Sequence, residues 1–139
     1  MSWPKTGVSV ALFRGASVLL IQRGKEPFRG VWSLPGGAQN AGETVGEAAQ
    51  RELREETGLT ASQLMFVEIV EPIRRDDSGK VAAHFVLAVH AGFSAAGEAM
   101  AGDDADGVQW VRLDQLSQLQ LTPSTEEVIQ RCHVALTRK

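Results

Sequence analysis

Hydrophobic residues recur along the chain with two periods, and the shorter period predicts β-strands. Two runs rich in aliphatic residues, Val8–Phe13 and Val18–Arg23, are separated by a short break at residues 14–16. This spacing is typical of two strands joined as a hairpin. A turn is indicated at Asp76–Gly79 by its Asp, Ser and Gly residues. Three further β-rich runs are expected at Leu64–Ile73, Val81–Ala91 and Val108–Leu113.

The longer period, close to one helical turn, predicts a helix over Thr44–Gly58. Thr44 and Glu47 have the spacing of a capping box, in which each side chain bonds a free backbone N–H at the helix start. Gly58 suits the left-handed position that ends many helices. Both ends of this helix are therefore predicted from local signals.

A second helix is expected after Thr122–Ser124, with Pro123 at an early helical position. A short helical turn is expected at Asp114–Leu119. The apolar stripe of the second helix consists of Val128, Ile129, Cys132 and Leu136. No internal repeat or linker interrupts these elements, so residues 1–139 are predicted to form one α/β domain with a sheet between helices.

The charges of the first helix lie where a structural helix would have its core. At about 100° per residue, the apolar stripe contains Val45, Ala48, Ala49 and Leu53. Glu52 and Glu56 fall inside that stripe and Glu55 at its edge, whereas Thr57 is expected on the water-facing side. Burying unpaired carboxylates is costly, so a positive charge is expected between them, and a divalent metal ion is the natural candidate. The alternative is a solvated acidic helix.

The segment before this helix, Trp32–Glu43, contains a Pro-Gly-Gly turn at residues 35–37. Proline fixes the backbone angle φ, and glycine permits close approach of the main chain. Such a loop could bring a main-chain carbonyl close to a metal ion or a phosphate.

The spacing of Gly37, Glu43, the Arg51–Glu56 run and Gly58-Leu59 matches every defining position of the Nudix box. The chain therefore resembles the Nudix hydrolases. That resemblance implies an α/β/α sandwich, with a mixed central sheet flanked by the box helix and a C-terminal helix. It also implies hydrolysis of a nucleoside diphosphate linked to a group X.

The resemblance assigns roles to the box residues. Glu55 and Glu56 are the expected direct metal ligands, and Glu52 is a ligand or the base that activates water. Gly37 is expected to offer its carbonyl. This oxygen-rich ligand set suits Mg²⁺, with Mn²⁺ as the alternative.

Two charged residues around these glutamates, Arg51 and Glu43, each have more than one interpretation. Arg51 is expected to project away from Glu52, toward Glu55. The resemblance makes it an orienter of the box glutamates, and a plain surface salt bridge is the alternative. Glu43 precedes the helix and could meet its N-terminal dipole or the surroundings of the metal. It is also a candidate substrate-binding residue.

Composition restricts the partners. With 43% hydrophobic residues and a formal net charge of −3, the chain gives no electrostatic case for binding long nucleic acids. Its single cysteine, Cys132, excludes an intrachain disulfide. No signal peptide or membrane-length apolar run is recognisable, so a cytoplasmic protein is expected. Because related enzymes are often dimers, a homodimer stays open.

The substrate is less well specified by the sequence. Arg23 ends a strand that leads into the box loop and is the favoured phosphate-binding cation over Arg29, Arg74 and Arg75. The long small-residue segment Phe93–Gly107 carries candidate catalytic or ribose-binding carboxylates, with a solvated acidic loop as the alternative. These carboxylates are Glu98, Asp103 and Asp104.

Three functions remain open from the sequence. The runs at residues 84–87 and 101–105, followed by Trp110-Val111, look similar to the ADP-ribose pyrophosphatase-like branch. That similarity favours hydrolysis of ADP-ribose, or a similar nucleotide sugar, to AMP and a sugar phosphate. The alternative is a nucleoside triphosphate pyrophosphohydrolase that removes oxidised or non-standard nucleotides. A nucleotide-sensing module without catalysis is the remote third.

Overall fold

The computed structural model describes residues 2–94, 97–102 and 104–138. It contains eight strands, two α-helices and a 3₁₀ helix at Leu113–Gln118. The helices are α1 (Val45–Thr57) and α2 (Thr125–Thr137). The strands are β1 (Lys5–Arg14), β2 (Ser17–Arg23), β3 (Trp32–Ser33), β4 (Gly36–Ala38), β5 (Met65–Val70), β6 (Ile73–Arg75), β7 (Val81–Phe93) and β8 (Ala105–Arg112).

The strands form a mixed sheet around β1 and β7. These two strands run parallel over their length, from Lys5 opposite Phe85 to Phe13 opposite Phe93. The order through the sheet is β3-β2-β1-β7-β5, with β4 pairing β1, β6 pairing β7 and β8 pairing β2. All pairings except β1 with β7 are antiparallel. The long parallel pair therefore forms the centre from which the rest of the sheet extends.

Alternate residues of β1 face opposite sides of the sheet and pack against different helices. Val8, Val10 and Leu12 join a buried cluster with the α1 residues Ala48, Ala49 and Leu53. Ala11 and Phe13 join a second cluster with the α2 residues Val128, Ile129 and Cys132. Period-two alternation on β1 thus supplies both cores. The predicted sandwich with α1 and α2 on opposite faces is confirmed.

Several element boundaries differ from the prediction, and three of the differences have local reasons. The run Leu64–Ile73 is two strands, because Pro72 has no N–H for the ladder and separates β5 from β6. The box loop contains the short strands β3 and β4, which its glycine and proline content concealed. The last helix begins at Thr125, and Ser124 is its N-cap in the left-handed region (φ 67°). Pro123 therefore precedes the helix.

Several large apolar side chains stay exposed at the β5 side of the sheet. They belong to β5, β6 and the start of β7, and they are Met65, Phe66, Ile69, Ile73 and Val81. Within the described ranges, no helix is long and apolar enough to cross a membrane.

Candidate active site

Helix α1 begins and ends where the sequence predicts. The Glu47 N–H donates to Thr44 Oγ1 at 3.1 Å, and the Thr44 N–H donates to Glu47 Oε1 at 2.9 Å. Gly58 is left-handed (φ 74°), and its N–H donates to Arg54 O at 2.9 Å. The caps set where the helix begins and ends, and the packing of Ala48, Ala49 and Leu53 against the sheet sets which face carries the glutamates.

The Arg51 guanidinium lies at the centre of the acidic cluster. Its Nε and one terminal nitrogen bond the two oxygens of Glu43 at 2.7 and 2.9 Å. The second terminal nitrogen bonds Glu52 Oε1 at 2.7 Å and Glu55 Oε2 at 3.1 Å. A further bond reaches the carbonyl of Ala38 at 2.8 Å. All five N–H donors of the guanidinium are engaged.

These contacts correct the predicted direction of Arg51, which was expected to project away from Glu52. The flexible side chain instead folds back over the helix surface, so that it contacts both Glu52 and Glu55. Arg51, aided by the Asn40 N–H, lowers the pKa of the Glu43 carboxyl to about 2. The carboxylates raise the pKa of Arg51 well above its usual value. Arg51 thus supplies the positive charge between Glu52 and Glu55.

Glu56 lies outside the contacts of Arg51. It is half-buried, and burial followed by the nearby charge of Glu52 raises its pKa from 4.5 to about 7. The Gly36 N–H, 3.4 Å from Glu56 Oε2, and the charge of Arg23 oppose that rise. Burial also raises the pKa of Glu52, against the opposing effect of Arg51. At neutral pH, Glu56 is therefore poised between its protonated and ionised forms.

The face of α1 that packs on the sheet includes one residue expected in water. Thr57 is fully buried. Its hydroxyl donates to Leu53 O at 2.6 Å and accepts from the Leu59 N–H at 3.2 Å. These bonds satisfy the hydroxyl inside the helix end, so the prediction that Thr57 faces water was wrong.

The two glycines of the Pro-Gly-Gly turn have different surroundings. Along two antiparallel strands, residue pairs that hydrogen-bond to each other alternate with pairs that do not. Since the Val10 N–H donates to Pro35 O at 2.8 Å, the backbone of Gly37 is in a position that bonds β1 and the backbone of Gly36 is in a position that does not. Gly36 turns its N–H and carbonyl away from β1, and its N–H approaches Glu56. The register favours Gly36 over Gly37 as the backbone carbonyl available to an ion.

The absence of a side chain on Gly37 leaves room for the Glu52 carboxylate. A Cβ at this position would lie 2.5 Å from Glu52 Oε2, a distance at which the carboxylate would have to move. Glycine therefore lets Glu52 lie directly against β4.

Glu56 opens into a cleft of about 250 Å³. The cleft is formed by the end of β2, the loop after it and the segment before β8. It is lined by Ile21, Arg23, Gly24, Lys25, Glu26, Glu56 and Asp104. Arg23 is held in place by a bond from its Nε to Pro27 O at 2.8 Å. Of the four arginines considered from the sequence, Arg23 is the one that lines this cleft.

The segment before β8 is attached to the end of α1 by its backbone. The Met100 N–H donates to Thr57 O at 2.8 Å, and the Gly102 N–H donates to Glu56 O at 2.9 Å. A Cβ on Gly102 would overlap the carbonyl oxygen of Glu55, so glycine permits this approach. The attachment carries Asp104 to the cleft beside Glu56.

The other two carboxylates predicted in this segment do not add to the cleft. Glu98 is exposed, and it is not among the residues that line the cleft. Asp103 lies outside the described residues. Asp104 is therefore the candidate carboxylate that the structure brings to Glu56.

The donor set fits a hard divalent cation in its chemistry. Within the described parts of the chain, no three acidic or other ligand side chains already surround a common point. Glu52 and Glu55 are instead bonded to Arg51. Glu56 has a half-buried carboxylate whose charged form burial disfavours, and a nearby cation would favour that form. Carboxylate and backbone oxygens are the ligands that Mg²⁺ prefers.

The match to known proteins agrees with this geometry. A sequence model of the NUDIX domain matches residues 3–132. The chain belongs to the NUDIX domain family. Its fold is shared with the NUDIX domain of Shewanella oneidensis NrtR, solved in complex with ADP ribose, at a TM-score of 0.84. That likeness is 24% identical and covers 99% of this chain and 91% of the other.

Two relatives of this NUDIX domain are named for different activities. An ADP-ribose pyrophosphatase of Methanocaldococcus jannaschii is 37% identical over 84% of this chain and 66% of its own length. A putative 8-oxo-dGTP diphosphatase 2 of Mycobacterium tuberculosis is 48% identical over 41% of each chain. The chain thus spans just under two thirds of the first relative and less than half of the second.

Sequence reasoning missed two residues at the site of this NUDIX domain. Lys25 lines the cleft, although it follows the end of a strand and has no motif position. Gly36 was passed over because only its place in the β-ladder shows that its backbone faces Glu56. The ladder register could not be obtained from a segment that was expected to be an irregular loop.

Proposed function

We propose that this chain hydrolyses the diphosphate bond of ADP-ribose or a similar nucleotide sugar, giving AMP and a sugar phosphate. The observation that carries the proposal is the half-buried carboxylate of Glu56, which opens into a cleft lined by Arg23 and Lys25. An anionic diphosphate would find cations on one wall and metal-binding carboxylates on another. The relative from M. jannaschii, an ADP-ribose pyrophosphatase, supports this substrate class.

In this proposal Glu52, Glu55 and Glu56 would hold Mg²⁺ or Mn²⁺, with the backbone carbonyl of Gly36 in place of the Gly37 carbonyl expected from the sequence. When bound, the ion would neutralise charge on the diphosphate and lower the pKa of the attacking water. Arg51 would act by holding Glu52 and Glu55 in place, with Glu43 anchoring the guanidinium from its other side. Glu52 would be either a ligand or the base that takes a proton from water.

Arg23 would bind a phosphate oxygen of the substrate. Its Nε is committed to Pro27 O, which orients the remaining donors of the planar group. Fixed guanidinium donors suit bidentate recognition of phosphate. The support for this role is that Arg23 lines the cleft, whereas Arg29, Arg74 and Arg75 are not among its lining residues.

A second candidate function is pyrophosphohydrolysis of oxidised or non-standard nucleoside triphosphates. The similarity to a putative 8-oxo-dGTP diphosphatase favours it. Both functions use the same carboxylates and differ in what the cleft accepts beyond the phosphates. A third function, nucleotide sensing without turnover, would be expected to tolerate loss of the box glutamates, yet all of them are present.

A substrate panel with identified products tests the proposal. We expect purified protein with Mg²⁺ to hydrolyse ADP-ribose with a kcat/KM at least about tenfold above that for 8-oxo-dGTP, a difference of about 1.4 kcal/mol in transition-state binding. AMP should appear without pyrophosphate. The Glu56→Gln variant, prepared in the same way, controls for contaminating hydrolases.

Each other outcome selects a different function. Pyrophosphate release from the triphosphate, at higher kcat/KM than for ADP-ribose, would replace the first proposal by the second. Tight binding of ADP-ribose without any product would instead indicate the sensing module.

The expected absence of a long nucleic acid partner, the homodimer and the cytoplasmic location stay predictions. Gel filtration with light scattering would determine the oligomeric state of the purified chain.

A further inference from the structure

An ion pair crosses the mouth of the cleft between its two walls. Lys25 Nζ, from the loop after β2, lies 2.7 Å from Asp104 Oδ1, from the segment before β8. Both side chains are largely exposed, at 73% and 72%. Both residues also line the cleft that contains Glu56. The pair thus lies at the point where a substrate would enter.

The exposed pair contributes little to holding the two walls together. Pairs in such exposed positions are weak, because water and salt screen the charges. The backbone already joins the walls, since the Gly24 N–H donates to Asp104 O at 3.3 Å. The segment is further attached to α1 by the bonds of Met100 and Gly102. A purely structural role therefore does not explain why a lysine and an aspartate meet here.

The charges of the cleft indicate what would displace the pair. Its basic side chains are Arg23 and Lys25, and its acidic side chains are Glu26, Glu56 and Asp104. Arg23 already uses one donor on Pro27 O. Lys25 has three donors on a flexible stem and can exchange one exposed oxygen for another at small cost. A phosphate oxygen entering the cleft would compete directly with Asp104 for this ammonium group.

We propose that Lys25 binds a phosphate oxygen of the substrate, and that Asp104 holds Lys25 at the mouth of the cleft until the phosphate displaces it. This inference rests on the proposed function for the identity of the substrate. It adds a substrate-binding residue that lies outside the sequence signature, together with a competing partner that sets its availability.

The two members of the pair should have opposite effects on substrate binding. Lys25→Met removes the phosphate-binding charge, and we expect KM for ADP-ribose to rise about tenfold. Asp104→Asn frees Lys25 and removes a negative charge from the cleft, and we expect KM to fall about threefold. In the double variant the Asp104→Asn effect should shrink, because there is no ammonium group left to release. A merely structural salt bridge would instead shift both single variants in the same direction.

Binding of inorganic pyrophosphate provides a measurement that does not depend on ADP-ribose. Calorimetric titration in the presence of Mg²⁺ should give weaker binding for Lys25→Met and tighter binding for Asp104→Asn. Lys80→Met is the matched control, because Lys80 lies in the turn before β7 and away from the cleft. It should bind pyrophosphate as the unmodified chain does.

The two arms separate the inference from the proposed function. If pyrophosphate affinities shift in opposite directions while ADP-ribose is not hydrolysed, the role of Lys25 stands and the substrate assignment fails. Equal pyrophosphate affinities in Lys25→Met and the unmodified chain would overturn the role of Lys25. A shift of both single variants in the same direction, or no pyrophosphate binding by the unmodified chain, would overturn it as well.

Discussion

Replacement of Glu56 by glutamine is expected to lower kcat for ADP-ribose by at least about 100-fold. Loss of a residue that only supports a metal ligand lowers activity by up to about 100-fold, and Glu56 is proposed as a direct ligand. Glutamine keeps the shape of the side chain and removes its charge. Glu56 is the half-buried carboxylate that opens into the cleft. Steady-state kinetics with Mg²⁺ would measure the loss.

The same substitution should stabilise the metal-free protein at alkaline pH. The folded-state pKa of Glu56 is raised from 4.5 to about 7, so ionisation in the folded state is unfavourable. Below pH 4.5 the carboxyl is protonated in the folded and the unfolded state, so it does not change the free energy of unfolding. As pH rises through 7, ionisation of the buried carboxyl lowers the free energy of unfolding by about 3 kcal/mol. Glu56→Gln removes it, so the gain in free energy of unfolding should be largest near pH 8 and shrink toward pH 4.5.

Glu127→Gln provides the control for both measurements. Glu127 is an exposed glutamate in the first turn of α2, on the opposite face of the sheet. The substitution removes one surface carboxylate that does not line the cleft, so it should leave kcat unchanged and serve as the reference for the unfolding measurements. A Glu56→Gln variant with near-normal turnover would remove Glu56 from the active site, whatever its effect on stability.

Arg51→Lys is expected to lower kcat about 100-fold although it keeps the positive charge. The guanidinium bonds Glu43, Glu52, Glu55 and the carbonyl of Ala38 together. A lysine ammonium has three donors in no fixed plane and cannot satisfy these four partners. Glu52 and Glu55 would lose their common orientation, and kcat should fall more than KM rises.

Arg54→Lys is the matched control for this substitution, since Arg54 is exposed on the same helix. It should keep normal kinetics. Circular dichroism would show that Arg51→Lys is folded, with a melting temperature lowered by only about 3 °C. Normal kcat in a folded Arg51→Lys protein would reduce Arg51 to the surface salt bridge considered as the alternative from the sequence.

Features that depend on neighbouring residues were predictable. The ends of α1 follow from Thr44, Glu47 and Gly58, whose capping bonds form within a few residues of one another. The alternation along β1 likewise follows from the strand period. These local rules place Glu52 and Glu56 on the packed side of α1, where the structure leaves both half-buried.

Features that depend on flexible side chains or satisfied polar groups were not predictable. Helical phase gives the direction of the Cα–Cβ bond of Arg51, but its long side chain then bends toward whichever carboxylates lie within reach. Thr57 was assigned to water because it is polar. Its buried hydroxyl is satisfied by Leu53 O, a bond that periodicity does not consider.

Contacts between distant parts of the chain could not be obtained from periodicity at all. Lys25 and Asp104 meet because the bonds of Met100 and Gly102 to the end of α1 direct the segment before β8 toward the loop after β2. No local signal of the sequence records that direction. The proposed metal-binding glutamates and the place of Arg23 were therefore accessible to sequence reasoning, whereas the pairing of Lys25 with Asp104 required the fold.

Calorimetric titration of Mg²⁺ into the metal-free protein at pH 7 tests most directly whether the α1 glutamates hold a metal ion. Since the pKa of Glu56 is about 7, binding should release about half a proton per ion. The affinity should fall strongly in Glu56→Gln and stay unchanged in Glu127→Gln. Equal Mg²⁺ affinity in all three proteins, without proton release, would contradict the account.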